Sequence, residues 1–348
     1  MSMSEPDDRN SLTKWMNKAM VICCIAPITI ALFLGGELGV AFGHNEPTID
    51  SPPERLRQRT SNSTPNPSEQ ATKTGLYPAI KWRTGNHTHG LSVNPTNAKI
   101  IYLATHHGLI QRTETGKWLW MQPKQQRADY MGFTTDPTNP NRFYASGHPQ
   151  TGGNLGFQVS GNLAQDWQQL SMPGVDFHAL AVAPSNPKVF YGFPASGAQG
   201  IQISIDGGKT WKQSQMNGLK AAPFNLVVDP VNADRVFAVT AAGLYQSTNR
   251  GETWGLIPNT QKTPVVGLAL QTEENKTVMY GFRAAQSKSG IDRSVDGGET
   301  WQKWGTGTKG IIIYLAIAPS NPKMFYAVNR ENAVFQSQDG GKTWKVLG

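Results

Sequence analysis

A repeated eight-residue segment constrains the fold of this chain more than any other feature. Four copies align without gaps and share the pattern S-x-[D/N]-x-G-[K/E]-T-W, at Ser204–Trp211, Ser247–Trp254, Ser294–Trp301 and Ser337–Trp344. A weaker copy ends at Trp167 and an eroded one at Trp120, so that successive copies are 43 to 47 residues apart. This spacing is typical of repeats that each build one four-stranded sheet.

A second repeated phrase sets the phase of these units. An apolar strand, a Pro/Asn turn and an aromatic strand recur from Leu91, Phe133, Leu180, Leu226, Leu268 and Leu315. Each repeat therefore predicts strands A, B, C and D, with the eight-residue segment forming the C–D turn. Such a sheet cannot bury both faces alone, so the units must pack radially. We expect an all-β protein, a β-propeller of four-stranded blades, six-bladed or, as the alternative, seven-bladed.

The segment Ala79–Arg83 resembles a D strand placed ahead of the first A strand. We expect it to close the ring against the last blade or to belong to a seventh blade.

The chain before the repeats predicts a membrane segment and a tether. Residues 19–36 carry no charge and follow Lys14 and Lys18, which favours a transmembrane anchor or signal peptide over residues 19–43 and a cytoplasmic n-region over residues 1–18. Residues 44–74 are polar and rich in Pro, as expected of a disordered linker before a propeller at 75–348. The propeller then lies outside the cytoplasm, held at the cell membrane by a single span, or is secreted if the signal is cleaved.

Charge and cysteine content limit the reactions and the partners that the repeats can support. Both cysteines, Cys23 and Cys24, lie in the apolar run, which leaves the repeats without a disulfide or a thiolate. Without residues 1–43 the chain has 29 basic and 20 acidic residues, a net charge of +9 that favours an anionic ligand or a protein partner. No basic-aromatic module for nucleic acid is present. We expect a monomeric propeller.

Histidines are concentrated in the first three repeats. Six of the seven lie between residues 87 and 178, in segments that we interpret as loops on the face opposite the eight-residue turns. Strand A is innermost in a propeller blade, so the residues that enter it should surround the mouth of the central channel: His87, His89, Asp129, Met131, Asp176 and His178. His107 is expected to face solvent.

Clustered imidazoles and carboxylates have several explanations. Neutral imidazole suits Cu or Zn, so one hypothesis is a non-catalytic propeller that binds a divalent transition metal through His87, His89, His106, His148, His178, Asp129 and Asp176. The alternative is that the histidines only form hydrogen bonds that hold the channel mouth together. A third interpretation is a scaffold or assembly factor for a membrane protein complex.

The eight-residue units resemble Asp boxes, or BNR repeats, which occur in sialidases, sortilin-type receptors and photosystem assembly propellers. The phrases H-x-H-G-L and D-F-H-A-L are similar to those of exported bacterial propellers labelled glycosyl hydrolase. The resemblance covers residues 78–348 and implies a structural role for the box residues Asp206, Gly208, Trp211, Asn249, Gly251, Trp254, Asp296, Gly298, Trp301, Asp339, Gly341 and Trp344.

The same resemblance makes a sialidase-like glycoside hydrolase the enzymatic alternative. Glycoside cleavage needs paired carboxylates, or in sialidases an Arg cluster and a Tyr nucleophile. Asp129 and Asp176 are the candidate carboxylates, and further candidates on this face are Glu331, Arg127, Arg283, Arg330, Tyr130 and Tyr314. The Arg-Ile-Pro phrase of sialidases is replaced by residues 81–84, Lys-Trp-Arg-Thr.

Overall fold

The computed structural model describes residues 70–73, 75–284 and 290–348. The predicted n-region, membrane segment and nearly all of the predicted linker lie outside these residues. Within the described part of the chain, no helix has both the length and the apolar character needed to cross a membrane.

The described residues form six antiparallel sheets, which confirms the six-bladed all-β prediction. Five blades have four strands each, and every blade is one contiguous stretch of chain. The first three blades contain β1 (Tyr77–Pro78), β2 (Thr88–Val93), β3 (Ile101–Thr105), β4 (Gly108–Arg112) and β5 (Trp118–Trp120); β6 (Ala128–Thr135), β7 (Phe143–Pro149), β8 (Phe157–Ser160) and β9 (Gln168–Ser171); and β10 (Asp176–Ala183), β11 (Asn186–Ser196), β12 (Gln202–Ser204) and β13 (Lys212–Gln213).

The last three blades repeat this arrangement. They contain β14 (Pro223–Val228), β15 (Val236–Thr240), β16 (Gly243–Ser247) and β17 (Gly255–Leu256); β18 (Val265–Glu273), β19 (Lys276–Arg283), β20 (Gly290–Ser294) and β21 (Gln302–Gly305); and β22 (Ile312–Ala318), β23 (Asn321–Asn329), β24 (Val334–Ser337) and β25 (Lys345–Leu347). The innermost strands β2, β6, β10, β14, β18 and β22 contact one another in this order, and β22 returns to β2.

The hydrophobic core is divided among the gaps between blades. Six clusters of buried apolar side chains each join two neighbouring blades, including the pair formed by the last blade and the first. Between blades 2 and 3, for example, Phe157, Phe177 and Phe190 are fully buried. Because both faces of every sheet bury apolar surface, no blade can be removed without exposing two clusters.

The Asp boxes form compact turns with the same hydrogen bonds in four blades. In the third blade, the Ser204 hydroxyl accepts a hydrogen bond from the Gly208 N–H (2.9 Å) and donates one to Asp206 (2.8 Å), which in turn accepts one from the Thr210 N–H (3.0 Å). The Trp211 indole packs against Phe177 of its own blade and Phe157 of the preceding one. In blade 4, Asn249 takes the place of the aspartate and accepts the equivalent hydrogen bond from the Thr253 N–H (3.0 Å).

The ring closes without exchanging a strand between the first and last blades. Among the residues that the structure describes, the only strand before the first inner strand is β1, which pairs with β5 at the outer edge of blade 1. Closure depends instead on Arg83, whose guanidinium donates to the carbonyl oxygens of Asn332 (3.1 Å) and Leu347 (3.2 Å), and on the Thr88 N–H, which donates to the Asn332 side chain (3.0 Å).

The prediction of a D strand over Ala79–Arg83 is therefore wrong. Residues 80–85 form turns, and Lys81 has a positive φ of 53°, which is incompatible with an extended strand. Trp82 is buried in the cluster between the last and first blades, beside Val334 and Leu347. The apolar pattern in this segment comes from packing at the closure of the ring and not from strand pairing.

Candidate functional site

One face of the ring carries the loops that enter the inner strands together with the turns between the second and third strands. The His106 N–H in the β3–β4 turn donates to the His87 carbonyl ahead of β2 (3.0 Å), which joins these two loops. The box turns lie on the other face, where the Gly207 N–H donates to the Lys188 carbonyl in the β10–β11 turn region (2.9 Å). The histidines and the Asp boxes are thus on opposite faces, as the strand order predicts.

A β-bulge near the start of every inner strand sets the direction of the site residues. In each blade, pairing with the second strand skips one residue at the equivalent position. A bulge bends its strand and changes where its side chains point. The skipped residues are His89, Met131, His178, Phe224, Val266 and Ile313.

The bulges divide the mouth of the channel into two chemically different halves. In blades 1 to 3 the bulge residues are His89, Met131 and His178. The residues two positions before them are His87, Asp129 and Asp176. In blades 4 to 6 both positions are apolar: Phe224, Val266 and Ile313 belong to packed apolar clusters. At these two positions, titratable side chains therefore occur only in blades 1 to 3.

The expectation that the histidines lie in loops is wrong for three of the six. His89 is in β2, Asp129 and Met131 in β6, His148 in β7, and Asp176 and His178 in β10. They occupy strand ends, where Asp129, His148 and Asp176 are paired with a neighbouring strand, whereas His89, Met131 and His178 are bulge residues. His106 and His107 alone form the β3–β4 turn.

Asp129 is the centre of the cluster. Its carboxylate forms a very short contact with His106 Nδ1 and lies 3.4 Å from His89 Nε2 and 3.9 Å from His148 Nδ1. The side chain is buried, with 5% of the residue surface exposed. Burial raises the pKa of Asp129, while the neighbouring His106 and His148 oppose that shift.

Asp176 forms a second group on the other side of His148. Its Oδ2 lies 2.8 Å from His178 Nε2 and 3.8 Å from His148 Nε2. The ring of His148 therefore lies between the two buried carboxylates, with one nitrogen toward each.

His89 is the most strongly perturbed imidazole. Burial, helped by the positive charges that His178 and His106 would carry, lowers the pKa of His89 to about 3. His89 is thus neutral throughout the physiological range of pH. Its Nε2 is buried without a hydrogen-bond partner, as are Oδ1 of Asp129 and Oδ1 of Asp176.

The structure brings together six of the seven predicted ligand residues. His89, His106 and Asp129 form one group, and His148, Asp176 and His178 another, with the donor atoms in each group within 4.8 Å of one another. His87 belongs to neither of these two groups of described residues, and it is exposed. His107 does not simply face solvent, because its Nε2 contacts the Gly85 carbonyl (3.0 Å) and its ring packs on His106.

A cavity of about 600 Å³ opens beside Asp129. The sequence pattern did not indicate that Trp120, Lys124 and Gln150 form part of its wall. Its volume lies within the range of small-molecule sites. Arg127 covers one side, with its guanidinium 4.2 Å from the centre of the Trp120 ring. Its lining consists of His106, His107, Trp120, Lys124, Arg127, Asp129, His148, Pro149 and Gln150.

The other candidates for sialidase chemistry do not gather around this cavity. Tyr130 is buried and its hydroxyl donates to the Gln122 side chain (2.9 Å). Arg283 lies near Asp292 in blade 5 (3.7 Å), and Arg330 lies near Glu331 in blade 6 (3.5 Å). An Arg cluster around a Tyr nucleophile is therefore not formed by these residues.

The BNR/Asp-box repeat family matches residues 202–213, which comprise β12, the Asp box and β13 of blade 3. The chain is 24% identical over 281 residues to xyloglucanase Xgh74A of Acetivibrio thermocellus, covering 75% of this chain and 30% of the relative. It is 22% identical over 330 residues to a probable oligoxyloglucan-reducing end-specific xyloglucanase of Neosartorya fischeri, covering 75% of this chain and 40% of the relative. The chain thus spans less than half the length of these relatives.

A solved structure of a GH74 enzyme from Niastella koreensis has a similar fold. The TM-score is 0.57 at 18% identity, and the match covers 75% of this chain and 45% of that one. The chain is a BNR-repeat β-propeller that resembles glycosyl hydrolases. The hypothesis of a non-catalytic metal binder as the function of this propeller is wrong, because the relatives are xyloglucanases and favour the hydrolase alternative.

Proposed function

We propose that this propeller is a glycoside hydrolase that cleaves xyloglucan, with Asp129 and Asp176 as its pair of carboxylates. The observation that carries the proposal is the placement of two buried carboxylates at opposite nitrogens of the His148 imidazole, which together with Asp129 lines an open cavity. The names of the relatives support the choice of substrate.

The separation of the two carboxylates is compatible with glycoside hydrolysis. Their contacts with the two nitrogens of the small His148 ring limit the distance between the carboxylate oxygens to at most about 10 Å. Retaining enzymes use a separation of roughly 5–5.5 Å and inverting enzymes one of roughly 6.5–9.5 Å. Both values fall below this limit.

The two aspartates differ in surroundings and therefore in proposed role. Asp129 lines the cavity, and its burial favours the protonated form, so it acts as the general acid that transfers its proton to the glycosidic oxygen. The bond between that oxygen and the anomeric carbon breaks. Asp176, whose Oδ2 is held by a hydrogen bond with His178, acts as the base that takes a proton from the water that attacks the anomeric carbon. One water is consumed and two hydroxyl groups are formed.

The test is the release of reducing ends from xyloglucan by the purified full chain in mild detergent. Asp129→Asn and Asp176→Asn should each lower the rate by about 10²- to 10⁴-fold, the usual contribution of a general acid or base. Asp292→Asn is the matched control, because Asp292 is an equally buried aspartate in blade 5, beside Arg283 and Lys303. Equal loss in all three variants, or no turnover by the unmodified chain, would refute the proposal.

The stereochemistry of the product tests the assigned roles separately. Direct attack by water inverts the anomeric configuration, whereas attack by Asp176 itself would retain it. Proton NMR of the first product distinguishes the two, and retention would assign Asp176 as a nucleophile.

We also propose that the N-terminal segment places this site outside the cytoplasm, where a polymeric substrate is encountered. The uncharged run after Lys14 and Lys18 supports this placement. Protease added to intact cells should degrade the propeller, and protection equal to that of a cytoplasmic protein would contradict the proposal.

A further inference from the structure

The site contains more imidazoles than glycoside hydrolysis requires. Two carboxylates suffice for that reaction, yet four histidines surround them: His89, His106, His148 and His178. Blades 4 to 6 have apolar residues at the positions that match His89 and His178, so the fold itself does not require histidine at these two positions. The four imidazoles therefore call for a second explanation.

The distance between two unpartnered atoms gives that explanation. His89 Nε2 and Asp129 Oδ1 are both buried without a hydrogen-bond partner, and they lie 3.4 Å apart. Two ligands of a tetrahedral ion with bonds of 2.0–2.1 Å are separated by about 3.3–3.4 Å. Buried polar atoms normally have partners, and a shared cation would satisfy both atoms without moving either.

His106 completes a set of three donors. The donor atoms of His89, His106 and Asp129 lie within 4.8 Å of one another. Two imidazole nitrogens and one carboxylate oxygen suit Zn²⁺ or Cu²⁺, whereas Ca²⁺ and Mg²⁺ prefer oxygen ligands throughout. The side chain of His106 is 49% exposed and lines the cavity, which provides a path for an ion to enter.

The second group is less suited to an ion. His178 Nε2 is hydrogen-bonded to Asp176 Oδ2 at 2.8 Å, so among the described residues this group has no buried imidazole nitrogen without a partner, whereas the first group has His89 Nε2. The two groups thus form a natural pair for comparison, with similar residues and different geometry.

We propose that His89, His106 and Asp129 form a transition-metal site, and that an ion bound there inhibits the hydrolase. The inhibition rests on the proposed function, because Asp129 is its general acid. A coordinated carboxylate oxygen has given its lone pair to the metal and is no longer free to exchange a proton with the substrate. The metal level around the protein would then control hydrolysis.

Titration calorimetry with Zn²⁺ tests the site without reference to activity. The full chain in mild detergent, treated with EDTA and dialysed, should bind one zinc ion per chain. His89→Ala and His106→Ala should each weaken binding at least 100-fold, whereas His178→Ala should change it less than 10-fold. The half-exposed His106 gives a variant that should fold even if His89→Ala does not. No binding by the unmodified chain, or equal loss in His106→Ala and His178→Ala, would overturn the site.

Xyloglucan hydrolysis then tests the inhibition. Zinc at saturating concentration should lower the rate of the unmodified chain at least 10-fold, and EDTA should restore it. The His106→Ala variant should hydrolyse xyloglucan at nearly the same rate with this zinc concentration as without metal. Hydrolysis that is insensitive to bound zinc overturns the inhibition. If the chain binds zinc but does not hydrolyse xyloglucan, the proposed function and the inhibition are refuted, whereas the metal site is still supported.

Discussion

Replacement of Gly147 by Ala should destabilise the propeller strongly and for a local reason. Gly147 lies in β7, paired with Tyr130 beside the bulge of β6, and has a φ of +142°. A side-chain carbon at this position would lie 2.0 Å from the backbone oxygen of Asp129 and 2.9 Å from the Met131 nitrogen. Because both neighbours are backbone atoms in a paired strand, neither can rotate away.

Two costs make up the expected change in the free energy of unfolding. A non-glycine residue in this backbone region costs about 1–3 kcal/mol. Relief of the contact, as in other overpacked sites, costs about another 1–3 kcal/mol. The sum is about 2–6 kcal/mol, which for a domain of this size corresponds to a melting temperature lower by roughly 5–20 °C.

Two other glycines in the same blade separate these costs. Gly153 has a positive φ of +84° and open space around it, so Gly153→Ala should lose only about 1–2 kcal/mol. Gly161 has neither a positive φ nor a neighbour within 4 Å, and Gly161→Ala should be nearly neutral. Urea unfolding followed by tryptophan fluorescence measures all three. A Gly147→Ala value within about 1 kcal/mol of Gly153→Ala would refute the steric argument.

Two further predictions concern the boxes and the ring closure. Hydrogen bonds from the Thr300 side chain and backbone lower the pKa of Asp296 to about 2; a depressed pKa stabilises the folded state above pH 4 and loses that effect as the pH falls toward 2. Asp296→Asn should therefore lower the free energy of unfolding at pH 7, and urea unfolding should show this loss becoming smaller from pH 5 to pH 3. Asn249→Asp adds a carboxylate at the same place in a box, so this variant should instead lose stability relative to the unmodified chain as the pH falls. Parallel pH profiles for the variants and the unmodified chain would contradict this prediction. Arg83→Ala removes two hydrogen bonds to backbone carbonyls of the last blade and should lower the free energy of unfolding by about 1.5–3 kcal/mol, measured by thermal unfolding. The control is Arg142→Ala at an exposed arginine, which should cost less than about 1 kcal/mol. Equal losses in the two variants would show that the closure does not depend on Arg83.

The architecture could be predicted from the sequence because its determinants are local and repeated. The apolar alternation from Leu91 or Leu180 specifies strands, and the box at Ser204–Trp211 specifies a turn whose hydrogen bonds lie within eight residues. Repetition at a nearly constant spacing then requires radial packing, because each sheet has two apolar faces. The same order places the histidines on the face opposite the boxes.

The arrangement within the site depends on contacts between distant parts of the chain. The bulge at His89 is a property of the pairing between β2 and β3, and a one-residue change in register reverses the direction of a side chain. Sequence spacing therefore indicated which residues gather at the mouth but not that His148 lies between two carboxylates. It also suggested a strand at Ala79–Arg83, since the burial of Trp82 against the last blade arises only when the ring closes. Local pattern determined the blades, and tertiary pairing decided which atoms meet between them.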